Sequence, residues 1–241
     1  MDDMEAWPAS AEELVRAQEI LGGSSPKAWE PSGSVCAVAG CFVCFAHGTT
    51  PGRAPERAWA AAALTRKACA ALSAIVTGRA GAAYQPGMLA LREGALLEAA
   101  VRALPEAPDV LLVNATGRDH PRRAGLALHL GAVLDLPTIG VTERPLGAEG
   151  EWPAGERGAV SPLLLDDELV GYWLRTRRWV RPVAVHAGWR TSPGMAAELV
   201  LQAARKARTP EPVRQARMVA RRARGAARAR REAGLVTTCE Q

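Results

Sequence analysis

The chain has 241 residues, 48% of them apolar, and a formal charge of +5; it is long enough to bury a sizeable core, which excludes a disordered segment or a fibrous repeat. No stretch approaches the ~18 uncharged apolar residues of a membrane span, and the acidic, amphipathic start MDDMEAWPASAEELVRAQEIL lacks the basic-then-apolar order of a secretory leader. The five cysteines are an odd number and three of them, Cys36, Cys41 and Cys44, share one apolar run; this is unlike a secreted disulfide framework, so a cytoplasmic protein with reduced thiols and no membrane contact is expected.

Ser10, with Glu13 three residues on, opens a predicted helix over 9–21 that is carried by Leu14, Val15, Ile20 and Leu21 and stopped by Gly22 and Gly23. VCAVAGCFVCF, residues 35–45, predicts a strand buried on both faces. Residues 57–76 are ambiguous: their alanines favour helix by propensity, while the Gly/Pro-rich link before them suits a hairpin and two further strands. A Pro-Gly turn is followed by an expected helix from Leu89 to Leu104, a strand over 109–114, a helix in AGLALHLGAVLDL and a strand in PTIGVTE. Residues 160–174 and 180–187 read as a strand pair around TRRW, and the remainder from Pro193 as helical. Early strands followed by strand–helix alternation predict one α/β domain over 1–212 with a mixed sheet, antiparallel first and parallel after. Residues 213–241 form a basic helix or tail; removing the eight arginines between Arg214 and Arg231 turns +5 into −3, so the basic character belongs to this segment.

The stretch DVLLVNATGRDHPRRAG, from Asp109 to Gly125, has the build of a catalytic strand edge: an apolar run delivers a polar residue, and a loop with His120, Arg122 and Arg123 follows. The delivered residue is Asn114, a neutral amide where metal-dependent phosphate chemistry wants a carboxylate. YQPG with LREG, this stretch continued as AGLALHLGAVLDLPTIGV, and AGWR together resemble endonuclease V, the family that nicks nucleic acid near deaminated adenine. The resemblance covers roughly residues 11–210 and is densest from Tyr84 to Leu146. It implies a ribonuclease-H-like fold, with three antiparallel strands and then alternating helices and strands, and it makes the alanine-rich segment strands.

It also implies Mg²⁺ held by carboxylates at strand ends, because hard Mg²⁺ takes oxygen ligands and needs negative charge to stay beside a phosphate. On that pattern Phe42 in AGCFVCF occupies the position of the first metal-binding Asp, Asn114 that of the second, and Glu93 in LREG keeps the family's Glu. The loop His becomes Thr116, the Lys after TIGV becomes Glu143, a His in G-H-R becomes Trp189, and a nearby Asp aligns with Gly194. Losing two of three anionic ligands removes several kcal/mol of attraction for a cation at an effective dielectric of about 20. The expectation is a dismantled nuclease site with no cofactor; a weak Mg²⁺ contact through Glu93 stays open.

Among the remaining residues, Tyr84 takes the place of the family's wedge aromatic, whose stacking on a base needs no metal. Gly87, Thr116 and Gly117 would line its base pocket. His120 either aids chemistry or anchors a backbone oxygen, Arg122 and Arg123 either bind phosphate or stay solvated, and Asp119 could pair with Glu93 as a new acid–base couple. Cys36-x4-Cys41-x2-Cys44, with Cys69 later, has plant-type iron–sulfur spacing, but inside a strand these cysteines read as small buried hydrophobes; Cys41 or Cys44 as a repurposed nucleophile is the alternative. The expected function is binding of nucleic acid, DNA or RNA, or of a nucleotide-like small molecule, without efficient cleavage; the arginine-rich end adds salt-sensitive affinity for phosphates. The alternatives are a metal-independent enzyme using Glu93, Asp119 and His120 in a pocket reshaped by Phe42 and Trp189, and a residual inosine-directed nuclease.

Overall fold

In the computed structural model, which describes residues 7–31, 33, 37–46, 56–66 and 71–233, helix α1 (Ala11–Gly23) starts where the sequence signals it. Ser10 Oγ accepts the Glu13 N–H at 3.1 Å and the Glu13 carboxylate reaches back to the Ala9 N–H, which satisfies donors that the first turn leaves free. The apolar run that follows is strand β1 (Ala37–Phe45), and the alanine-rich segment is extended, as the resemblance implies and against its own propensity: β2 (Arg57–Arg66) pairs antiparallel with β1 and with β3 (Leu72–Arg79).

Alternation then begins, with α2 (Leu89–Arg102), β4 (Val110–Val113), α3 (Leu126–Leu134) and β5 (Thr138–Thr142). β4 lies parallel to both β1 and β5. The segment expected as one long strand at 160–174 is a hairpin, β6 (Val160–Leu165) and β7 (Glu168–Leu174). Asp166 and Asp167 both have positive φ, 50° and 62°, the backbone signature of a tight turn whose twist matches the strands it joins. β8 (Val183–Ala187) returns antiparallel to β7 and to β5. The sheet order is β3-β2-β1-β4-β5-β8-β7-β6, the mixed α/β fold that the element order predicts. Two helices close the chain, α4 (Pro193–Ala203) and α5 (Glu211–Glu232).

Helices cover both faces of the central strands. Leu97, Ala100 and Val101 of α2 pack with Ala37, Ala39, Cys41 and Val43 on one face of β1, while Val213, Ala216 and Ala220 of α5 are buried on the other. Alanine fills β2 because it lies between these layers, where Ala58 and Ala60 to Ala63 are fully buried; a larger side chain there would push a helix away. The arginine-rich segment is thus a helix docked on the sheet and not a separate appendage. Gly40 fixes how closely it docks, since a Cβ there would lie 2.4 Å from the Val213 backbone nitrogen.

Ahead of α1, Trp7 ties α2 and α3 together. Its ring stacks on His129 of α3 with centroids 4.7 Å apart, lies against Gly94 of α2, and donates its indole N–H to Glu98 at 2.6 Å. Among the described residues no helix is long and apolar enough to cross a membrane. Cys36 and Cys69 lie outside the described residues; Cys41 and Cys44 are free, buried thiols on opposite faces of β1.

Candidate nucleic-acid interface at the sheet edge

The pairing of Cys41 with Val113 in parallel β1 and β4 brings Phe42 and the exposed Asn114 to one edge of the sheet, where the C-terminal ends of β1, β4 and β5 meet. Alternation along β1 sends Cys41 to the α2 face and Phe42 to the α5 face. Phe42 packs with Cys44, Trp59, Ala61 and Ala220, and the Arg217 and Arg221 guanidinium carbons stand 5.0 and 5.9 Å from its ring centroid. These two arginines follow Val213 by one and two helical turns, so the contact at Gly40 aims them along the strand at Phe42.

On the other face Glu93 lies within electrostatic range of Cys41; burial raises the Cys41 thiol pKa first and the Glu93 charge adds to it. Burial also raises the Glu93 pKa to about 7, with Arg92 opposing. Arg92 is committed elsewhere, to Glu56 at 3.0 Å, to the Ala82 carbonyl and to the face of Phe45. Burial is likewise the main cause of the raised Cys44 thiol, which Arg224 and Arg221 pull back. Neither cysteine is thereby made a ready nucleophile, because the thiolate is the reactive form. Among the described residues no three His, Cys, Asp or Glu side chains gather into a cation-holding group.

The loop after β4 turns the remaining predicted residues inward. Asp119 is 0% exposed; its Oδ1 accepts the Gly117 N–H at 2.8 Å and lies 3.2 Å from His186 Nδ1, and its Oδ2 accepts the Leu146 N–H at 3.1 Å. Among the described residues Asp119 makes no hydrogen bond or ion pair with Glu93, so the expected acid–base couple is not assembled and Asp119 staples two loops instead. Gly117 packs so closely on β8 that a Cβ would meet the Ala187 carbonyl oxygen at 2.2 Å. The Thr116 carbonyl accepts the Ala127 N–H at the start of α3.

His120 anchors a backbone oxygen, the second of its two expected roles. Its Nδ1 accepts the Arg122 N–H at 3.1 Å, which assigns the proton to Nε2 and makes that nitrogen the donor to the Gly87 carbonyl, also at 3.1 Å. Burial lowers its pKa; the bond to Gly87 opposes this, Arg122 adds to it and Asp119 opposes it more weakly. Gln18 of α1 completes the set, donating to the same Gly87 carbonyl at 3.0 Å and accepting from Arg122 Nε at 2.7 Å. Gly87, at φ 77°, thus holds a turn pinned from two sides, and Tyr84 just before it is 59% exposed. Arg122 faces Gln18, and Arg123 is drawn to Asp166 and Glu168 at 3.1 and 2.8 Å, so neither projects as a free phosphate ligand.

Trp189 is not at this edge. Its backbone N–H donates to Thr138 Oγ1 and its carbonyl accepts the Thr138 N–H, at the first residue of β5, whereas Glu143 follows the last; four residues of strand separate the two ends by about 13 Å. The Trp189 ring packs on Leu21, Ala124 and Leu128, so the expectation that it reshapes one cavity together with Phe42 is corrected. Gly194 likewise lies beyond β8, in the first turn of α4.

Sequence reasoning missed Arg208 and did not single out Arg217 and Arg221 from the arginine-rich end to which it gave phosphate affinity. Arg208 reaches Glu143 at 3.3 Å and donates to the Arg181 and Pro182 carbonyls. Burial and then Arg221 lower the Arg217 pKa; Glu143 opposes them and Arg208 adds to them. The signal in the sequence that singles them out is the four-residue step from Val213 through Arg217 to Arg221, which puts all three on one face of the helix.

An endonuclease V family model matches residues 27–218. Endonuclease V of Methanothrix thermoacetophila is 38% identical over 218 residues, 90% of this chain and 93% of that one. The crystal structure of endonuclease V from Streptomyces avermitilis superposes with a TM-score of 0.81 at 35% identity, covering 92% of this chain and 96% of its own. The Ciona intestinalis enzyme, solved in complex with a 24mer DNA containing an inosine followed by a ribo-adenosine, shares the fold at a TM-score of 0.70 and 21% identity, over 88% of this chain and 96% of that one.

Proposed function

Because the chain belongs to the endonuclease V family, we propose that it binds inosine-containing or otherwise non-canonical nucleic acid in the cytoplasm and does not cleave it efficiently. The observation that carries this reading is the contrast between two parts of one edge. The Tyr84–Gly87 turn is held by Gln18 and His120 with its aromatic ring exposed, which suits stacking on a base. At the metal positions Phe42 offers no donor and Asn114 one neutral oxygen, which leaves Glu93 as the one carboxylate among the three, and burial raises its pKa. This set does not fit Mg²⁺, which takes six hard oxygen ligands and is held by negative charge, and no step of the proposed function runs through a metal.

Binding of the Ciona enzyme to inosine-containing DNA supports nucleic acid as the ligand class. The alternative of a metal-independent enzyme has no observation in its favour, since Asp119 and His120 are occupied in holding loops together.

The test is fluorescence anisotropy with single-stranded inosine-containing DNA and RNA at low salt, in Mg²⁺ and in EDTA, with a nicking assay run beside it. The expected result is salt-sensitive binding that is equal in both buffers, weakened by Tyr84→Ala, with no Mg²⁺-dependent nicking above background. Absence of binding, or Mg²⁺-dependent cleavage, overturns the proposal.

A further inference from the structure

Three guanidinium groups, those of Arg217, Arg221 and Arg208, share one patch with a single carboxylate, Glu143. Arg208 and Glu143 pair with each other. Among the described residues Arg217 and Arg221 have no ion-pair partner, and the buried Arg217 Nε has no hydrogen-bond partner at all. Both guanidiniums sit over the half-buried ring of Phe42, in the second half of β1 and one residue past the end of its pairing with β4. Like charges crowded against a low-dielectric ring repel, and a buried donor without an acceptor costs about 1–3 kcal/mol. Among the described residues Glu143 offsets the repulsion only in part, being paired with Arg208, and no acceptor reaches the Arg217 Nε; an oxyanion with several acceptor oxygens would relieve both, and guanidinium is the group best shaped to hold one.

We propose that Arg217 and Arg221, with Arg208 beside them, form a phosphate site on the Phe42 ring that takes a backbone phosphate of a nucleic-acid strand directly, in the place where a metal-dependent nuclease of this fold would neutralise it with a divalent cation. The inference rests on the nucleic-acid reading for its ligand and on the arginine geometry for its site. A net positive patch repels a divalent cation and attracts the phosphate that the cation would have met. Among the described residues the arginines nearer the end of α5, Arg230 and Arg231, have no such ring or buried donor, and they serve as the matched control.

The test uses the full chain in metal-free buffer with an oligothymidylate, read by anisotropy over a salt series, with folding of each variant checked by circular dichroism and thermal melting. The Arg217→Gln/Arg221→Gln protein is expected to lose about tenfold in affinity and to flatten the salt dependence by about one phosphate, whereas Arg230→Gln/Arg231→Gln loses about twofold at most. Phe42→Asp, which puts a carboxylate under both guanidiniums, is expected to weaken binding as much as the double variant, and Phe42→Leu to weaken it less. Equal effects of the two arginine pairs, wild-type binding by folded Phe42→Asp, or an increase in affinity on adding Mg²⁺ each overturn the site. If the wild-type chain binds no oligonucleotide, the nucleic-acid reading fails on its own, and the site is then judged by calorimetry with inorganic pyrophosphate: wild-type heat that vanishes in Arg217→Gln/Arg221→Gln upholds it, and absence of wild-type heat overturns it.

Discussion

His129 offers a quantitative check on the core that carries the interface. The ring is 4% exposed, stacked on Trp7, and its Nδ1 has no hydrogen-bond partner among the described residues; burial alone lowers its pKa from 6.5 to about 4. In the unfolded chain the imidazole takes up a proton near its ordinary pKa, and in the folded chain only near pH 4. Between those values the unfolded state binds more protons, so stability falls as pH falls through this window and levels off below it. At about 1.4 kcal/mol per pH unit the loss attributable to His129 is ~3 kcal/mol. His129→Phe keeps an aromatic ring against Trp7 and removes the titration. Urea denaturation of both proteins at about pH 7.5 and about pH 4 should then show a loss on acidification that is ~3 kcal/mol larger for the wild type. Parallel losses in the two proteins would refute the reasoning, because carboxylates titrating elsewhere act equally on both.

Asp119→Ala removes the acceptor for two backbone N–H groups, and leaving buried donors unpaired costs about 1–3 kcal/mol each, so a fall in stability of roughly 2–4 kcal/mol is expected in thermal melts. Arg123→Gln should cost less than about 1 kcal/mol in the same measurement, since its partners Asp166 and Glu168 are 81% and 63% exposed, and it should leave oligonucleotide affinity unchanged because the guanidinium faces the β6–β7 turn.

The element order, the mixed sheet and the edge carrying Asn114 were legible in the sequence because period and turn signals are local. Where propensity and fold disagreed, at residues 57–66, the fold prevailed for a reason visible only in three dimensions: two helices press on β2 from opposite faces and leave room for little beyond alanine. The Asp166–Asp167 turn was missed because two aspartates with positive φ are a rare way to make a hairpin. Asp119 and His120 look reactive as letters, since a polar loop beside a strand end gives no sign that its acceptors will be taken by the N–H groups of Gly117, Leu146 and Arg122. Trp189 was assigned to the wrong end of the sheet because nothing local reveals that β8 runs antiparallel to β5. Arg217 was hidden by its neighbours; in a run of arginines, only the helix's seat on Gly40 singles out the ones that meet Phe42.

The docking of α5 has a consequence in time. Arg224 reaches the Phe45 carbonyl across 179 residues of chain, and α5 is made after every strand that it covers. Until α5 is made and seated, the face of β1 that carries Gly40, Phe42 and Cys44 lacks its covering helix, and Arg217 and Arg221 cannot meet Phe42. The proposed grip on nucleic acid is then conditional on the seat of α5, and anything that lifts this helix from the sheet dismantles the grip with it.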